Sequence, residues 1–388
     1  MTRFNEFNTS GKPSMSNRIL AATRKGLFTI ERTGQGKSGW SITKTSFLAE
    51  HVIMTLPDHR DGSWYASLYH GHFGSKLHRT VDKGETWQEI AVPAYPKQPE
   101  GQVQKDMWGR VIEWKLDRIW ALEAGGVDES GVLWCGTLPG GLFRSSDHGT
   151  SWNLVESLWN DPRRQEWMGG GADLPGIHSV CVDPRNARHI TIGISCGGVW
   201  VTNDGGATWD CRGEGIWSAY TPPDQKENPN VQDVHRVVQC PSNPDALWAQ
   251  HHNGIFRTTD GSATWQDVSN LKSLSPTSFG FAVAVHPKDA NTAWFVPGVK
   301  DEHRLPPDGK VVVARTRDGG QTYDILRNGL PQDHAYDLTY RHGLDIDASG
   351  DRLAFGSTTG SIWVTEDQGD SWQAISEHLP PIYCVRFA

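Results

Sequence analysis

The chain has 388 residues, 21% of them charged, and a formal net charge of −8. That balance argues against a nucleic-acid or anionic-membrane partner, and no apolar run approaches membrane-spanning length. The length suits two ordinary domains, yet an even internal repeat predicts one large closed domain over 18–388 behind a disordered tail over 1–17. The tail is polar and lacks the apolar segment of a secretory signal, and the six cysteines form no CxxC pair. Both features predict a reducing, cytoplasmic setting.

In chain order, the first predicted elements are short strands at 19–22, 26–30 and 40–42. Each later group of three strands then ends in one motif, S/T-x-D-x-G-x-T/S-W/Y, which occurs six times around Asp82, Asp147, Asp204, Asp260, Asp318 and Asp367. Ser262 replaces the glycine of the fourth copy, and Tyr323 replaces the tryptophan of the fifth. The motif has the chemistry of a hairpin turn. Its carboxylate accepts N–H groups of its own turn, glycine supplies a positive φ, and the hydroxyl ties the hairpin back on itself. The aromatic ring is expected to plug the space beneath the sheet. In the third unit the strands fall at 178–183, 190–194, 198–201 and around Trp209, four antiparallel strands that make a propeller blade. The aspartates are 49 to 65 positions apart, so the six copies predict a radial repeat. A last strand at 382–387 supplies the missing member of the N-terminal sheet. The expectation is an all-β, seven-bladed propeller closed by its two ends.

These motifs resemble the Asp-box (BNR) repeat of the sialidase-like propeller superfamily. Thr23-Arg24-Lys25-Gly26-Leu27-Phe28 and Gly71-His72-Phe73-Gly74 are similar to segments of bacterial WD40/YVTN/BNR-like repeat proteins described as glycosyl-hydrolase-like. The resemblance runs from about Arg18 to the end. It implies the fold, and it implies that the turn aspartates are structural and lie opposite the usual binding face. The arginine triad and Tyr–Glu pair of sialidases are not placed on this sequence, where Arg24 sits in Thr-Arg-Lys-Gly instead.

A second pattern is superimposed on the repeat. Aligned on the turns that end the inner strands (Pro57, Ala124, Pro184, Pro241, Pro287 and Ala348), the residues six positions upstream are His51, Arg118, His178, His235, Phe281 and His342. Tyr383 takes the equivalent place in the closing blade. Equivalent positions in a propeller ring its axis, so His51, His178, His235 and His342 predict a shared divalent transition metal: Zn, Fe, Mn or Cu. The constellation, though not the sequence, resembles that of carotenoid-cleaving oxygenases. The alternative is a solvated channel whose imidazoles bond to nearby carbonyls and water. Loops on the same face carry His70, His72, His251 and His252, read as substrate contacts, outer partners of the metal, a second metal site, or ordinary turn residues. The long connections 91–117, 153–177, 211–234 and 300–310 bring Trp108, Trp114, Trp167 and Trp217 to wall a pocket. Glu113 and Glu166 are candidate acids or bases, and Arg118 and Arg341 candidate carboxylate clamps. Gly169-Gly170-Gly171 reads as a flexible lip.

The leading expectation is a metal-dependent hydrolase or lyase acting on a small organic molecule, with Glu166, Arg118 and Arg341 catalytic and Trp114, Trp167 and Tyr383 among the substrate contacts. A metal-free glycosidase or sialidase-like enzyme is the alternative, drawing on Glu113, Glu166, Asp337, Tyr340 and Arg341. A non-catalytic interaction propeller, as in sorting-receptor and photosystem-assembly relatives of the repeat, is the third.

Overall fold

A computed structural model describes residues 15–34, 39–101, 103–105, 109, 111–170, 172–274 and 277–388. They form seven four-stranded antiparallel sheets, each a blade. The innermost strands are Val52–Pro57, Arg118–Ala124, Gly176–Val182, Val234–Cys240, Gly280–Val285, Leu344–Ile346 and Ile382–Phe387, which head blades 1 to 7. Blade 7 joins the two ends of the chain: Ile382–Phe387 pairs antiparallel with Arg18–Thr23, whose meander continues through Gly26–Arg32 and Trp40–Ser46. The predicted tail falls outside the described residues over 1–14. Its last members, Ser16 and Asn17, are held against blade 6 by the Asp347 carboxylate and the Arg352 guanidinium.

The core lies between adjacent sheets. Trp134, Trp200, Trp248, Trp294 and Trp363 come from the middle strands of five blades and are fully buried. Burying each large side chain stabilises the ring by roughly 2–3 kcal/mol.

All six repeat turns have the bonding their sequence demands. In the first, the Thr80 hydroxyl donates to Asp82 Oδ1 (2.6 Å) and accepts from the Gly84 N–H (3.0 Å). The Thr86 N–H and hydroxyl donate to the two carboxylate oxygens at 2.9 and 2.6 Å. Two consecutive residues take positive φ, Lys83 at 58° and Gly84 at 82°. The aromatic ring does more than fill space beneath its own sheet. Trp87 Nε1 donates to Ser46 Oγ, Trp152 Nε1 to the Ala91 carbonyl, Trp265 Nε1 to the Arg212 carbonyl and the Tyr323 hydroxyl to the Val268 carbonyl. Each acceptor lies in or just after the outermost strand of the preceding blade, so the motif latches neighbouring blades together.

The inner strands carry a second regularity. In blades 1 to 5 the pairing with the next strand skips one residue: Ile53, Trp120, His178, His235 and Phe281 in turn. A β-bulge leaves that residue out of the ladder and re-aims its side chain. The bulges, not the end turns, therefore mark equivalent positions.

Candidate active site at the axial mouth

The bulges overturn the four-histidine ring. Counting back from the turns misaligns blades 1 and 2 by two residues, so the residues equivalent to His178 and His235 are Ile53 and Trp120, in place of His51 and Arg118. The bulge also turns the imidazoles towards the next blade. His178 donates Nε2–H to the Val234 carbonyl (2.7 Å), and its Nδ1 meets the Ser179 hydroxyl (2.9 Å). His235 donates Nδ1–H to the Gly280 carbonyl (2.7 Å). His342 meets Arg386 at 3.4 Å, and His51 packs between Tyr69 and Tyr383. Burial keeps the rings of His51, His178 and His342 neutral, His51 at a pKa of about 4 and the other two well below the usual value. With both nitrogens of His178 engaged and the others facing different neighbours, the four rings do not supply one set of ligand atoms.

A different set does converge. Asp233 precedes the blade 4 inner strand, His235 is its bulge, and His252 tips the hairpin between Asn243–His251 and Gly254–Thr258. His235 Nε2 lies 3.3 Å and His252 Nδ1 3.4 Å from Asp233 Oδ2. Among the described residues these three bring their ligand atoms within 4.8 Å of one another. Ser195 Oγ donates to the other carboxylate oxygen at 3.1 Å, and the Asp233 N–H donates to the Tyr220 hydroxyl at 2.7 Å. Burial raises the Asp233 pKa, but the adjoining imidazoles and the Arg341 guanidinium outweigh it and hold the carboxyl ionised. Burial also lowers His252, and the bond to Asp233 overrides it and raises its pKa above its ordinary value. Gly170 approaches so closely that a Cβ there would stand 2.8 Å from Asp233 Oδ1 and 2.6 Å from Ser195 Oγ. The expected lip is in this respect a close-fitting cover; Gly171 lies outside the described residues.

Arg341 stands at the centre of the mouth, only 5% exposed, its guanidinium sandwiched between Trp120 (4.8 Å) and Phe281 (5.2 Å). Nε and Nη2 have no hydrogen-bond partner among the described residues, and burial lowers its pKa to about 10, which leaves it charged at neutral pH. Around it runs a wall of rings: Phe281 edge-on to Tyr340, Tyr340 stacked on Tyr383, Tyr383 against His51, and Trp120 edge-on to His178. Arg118 lies over Tyr69 and pairs with Asp117 at 2.6 Å. The loop after blade 5's second strand borders the same space. Arg304 covers Phe281, and Asp301 and Glu302 act electrostatically on His252.

Other predicted contacts lie elsewhere. Glu166 Oε2 accepts from Asn230 Nδ2, and buried Trp167 donates to Asn230 Oδ1, so both bind the blade 3–4 connection. Trp114 packs edge-on to Trp159, and Trp217 donates to Asp267. His70 pairs with Glu50, while His72 stacks on exposed Phe73 at a hairpin tip of blade 1. His251 is fully buried and accepts from the Asn253 N–H, a turn and core residue that no substrate can touch. Asp337 accepts from the hydroxyls of Ser357 and Thr359. Trp108 falls outside the described residues. The sequence reading missed Asp233, Tyr220 and Trp120; the one available signal was the Asp-x-His spacing at 233–235.

A cavity of about 1660 Å3 opens at the opposite end of the axis, among the turns Pro57, Ala124, Pro184, Pro241, Pro287 and Ala348. Its charged groups satisfy one another: Glu123 takes both Arg386 (3.4 Å) and Arg236 (3.9 Å). The convergent carboxylate and imidazoles stand at the other end, beside Arg341, and that end is therefore the better candidate.

The fold is thus that of a seven-bladed propeller. No family model matches the chain. It is 23% identical to a xyloglucanase of Paenibacillus sp over 309 residues, 72% of this chain and 26% of that protein. It is 28% identical to the xyloglucanase Xgh74A of Acetivibrio thermocellus over 148 residues (33% and 16%). The oligoxyloglucan-reducing end-specific xyloglucanase of Emericella nidulans is 25% identical over 203 residues (51% and 22%). The chain spans about a quarter or less of the length of these relatives. Among solved structures, a GH74 enzyme of Niastella koreensis superposes with a TM-score of 0.60 at 17% identity over 92% of this chain and 52% of that one. YCF48 bound to D1 peptide gives 0.51 at 13% over 83% and 80%. These structural likenesses show the fold alone.

Proposed function

We propose that this propeller is a glycoside hydrolase that takes an oligosaccharide at the axial mouth, with xyloglucan fragments the first substrate to test. The observation that carries the reading is the similarity to a xyloglucanase along 72% of the chain. The mouth supports it chemically. Tyr340, Tyr383, Trp120 and Tyr69 are half-buried aromatic rings on this wall, the kind of surface against which sugar C–H groups pack. Glycoside hydrolysis needs two carboxyl groups across the scissile bond. Asp233 lies 3.4 Å from His252, and the loop residues Asp301 and Glu302, whose charges act on the same ring, are the candidate acids. A metal-dependent chemistry is not needed for this reaction class.

Release of reducing ends from xyloglucan oligosaccharides is the direct test, run beside cellulose- and xylan-derived oligosaccharides and an aryl sialoside. The expected result is turnover of a neutral β-glucan, reduced by roughly 100-fold or more in Asp301→Asn, the usual loss on removing a general acid or base. Silence across the neutral glycans, or an unaltered rate in Asp301→Asn and Glu302→Gln together, would overturn it.

A further inference from the structure

We propose that Asp233, His235 and His252 hold one divalent transition-metal ion at the rim of the axial mouth. The four-imidazole ring does not form, but this mixed set brings its three ligand atoms within 4.8 Å of one another.

An ion bonded to nitrogen and oxygen at about 2.0–2.2 Å separates neighbouring ligand atoms by roughly 3.0–3.5 Å. The two imidazole nitrogens stand 3.3 and 3.4 Å from the shared carboxylate oxygen. The hydrogen bonding makes the same point. A carbonyl only accepts, so the 2.7 Å contact with Gly280 places the His235 proton on Nδ1. Its Nε2 then faces Asp233 Oδ2, which also only accepts, so this contact calls for a cation between the two atoms, either a second proton on the ring or a metal ion. A carbonyl receiving the far N–H of a ligating imidazole is the usual outer partner in metal sites. Ser195 holds the second oxygen of Asp233, and Gly170 covers it, so the carboxylate presents Oδ2 in a fixed direction. Tyr220 and Phe279 flank the His252 ring at 4.8 and 5.7 Å and fix its plane.

Two imidazoles and one carboxylate leave coordination positions open, a donor set that suits Zn, Fe(II) or Co(II) better than Ca or Mg. The side of the site facing Arg341 is the one a ligand would enter, so the open positions take a small oxygen donor such as water, a sugar hydroxyl or a carboxylate. This inference goes beyond the glycan reading and does not rest on it. If both hold, Asp233 is a ligand, and Asp301 and Glu302 are left for proton transfer.

The test is metal binding by the full chain with no sugar present. After chelator treatment and gel filtration, the protein is titrated with Co(II) and with Zn(II), and read by elemental analysis, by Co(II) visible absorption and by the rise in melting temperature that accompanies binding to the native state. About one ion per chain is expected, with a visible Co(II) band, and an affinity roughly 100-fold lower in His252→Ala and in Asp233→Asn. His342→Ala, which alters an axial imidazole outside the set, is expected to bind as the parent does. His252 is at the rim, so His252→Ala should keep the fold even where Asp233→Asn does not. Failure to retain either metal, or equal binding by His252→Ala, would overturn the proposal. A His235–Asp233 ion pair with no metal would then be the reading left. Loss of hydrolysis in the sugar assay leaves this measurement untouched.

Discussion

Ser262 occupies the place of a glycine in the other five repeat turns, and its backbone holds φ at 71°. An L-residue pays steric strain there, and its hydroxyl is buried without a partner. Ser262→Gly is therefore expected to stabilise the protein by about 1 kcal/mol, seen as a rise in the urea midpoint at unchanged slope. The same change at a φ-negative serine would not. The residue scale is also where the sequence was least legible. His235 was picked out by spacing, yet its role depends on a bulge that no residue type announces. Asp233 went unnoticed because it stands one residue before its strand, outside the repeat pattern. His251 and His252 look alike in sequence. Hairpin geometry sends the first into the core and the second to the rim.

At the scale of the element, the six turns share one electrostatic design. The Thr80 hydroxyl, then the Thr86 hydroxyl and N–H, hold Asp82 far below the usual carboxylate range; Asp147 and Asp204 are lowered by the matching bonds from Ser151 and Thr208. In Asp260, Asp318 and Asp367 burial pulls the other way, and the same hydroxyl and amide donors prevail. A carboxyl whose folded pKa is depressed stabilises the native state above its unfolded value, about 4, and that contribution fades as pH falls below it. Melting temperature should thus fall steeply from about pH 5 to pH 3. The fall should be shallower in an Asp82→Asn, Asp147→Asn, Asp204→Asn triple variant, which begins less stable at neutral pH. The same slope in parent and variant would show that the acid sensitivity lies elsewhere. These turns were fully legible, because each is a local solution to backbone bonding and its residue types dictate the contacts. What the motif did not disclose is its reach: in four of the six turns the closing ring bonds to the blade before it.

Over the whole molecule, the count of blades and the joining of the ends could be read from the repeat, from three N-terminal strands that lack an inner partner and from the one C-terminal strand that supplies it. The position of the site could not, since the axial equivalence of residues depends on bulges in five inner strands. Closure carries a cost if undone. Removing residues 382–388 takes the inner strand from blade 7 and leaves Arg18–Thr23 with an open edge facing the axis. Such a chain is expected to appear as soluble aggregates or oligomers on size-exclusion chromatography, where the full chain runs as a discrete species. Recovery of a discrete, cooperatively melting species would show that six blades and a three-stranded remnant suffice.

The Ser16 hydroxyl donates to the Ala388 carbonyl at 2.8 Å, and both residues line the wide cavity at the end of the axis away from Arg341. A tether, tag or fused module attached after Ala388 would therefore emerge at the end of the axis opposite Arg341. Anchored that way to a bead or a sensor chip, the protein would point its aromatic funnel at the solution, so immobilisation should leave access for ligands unobstructed.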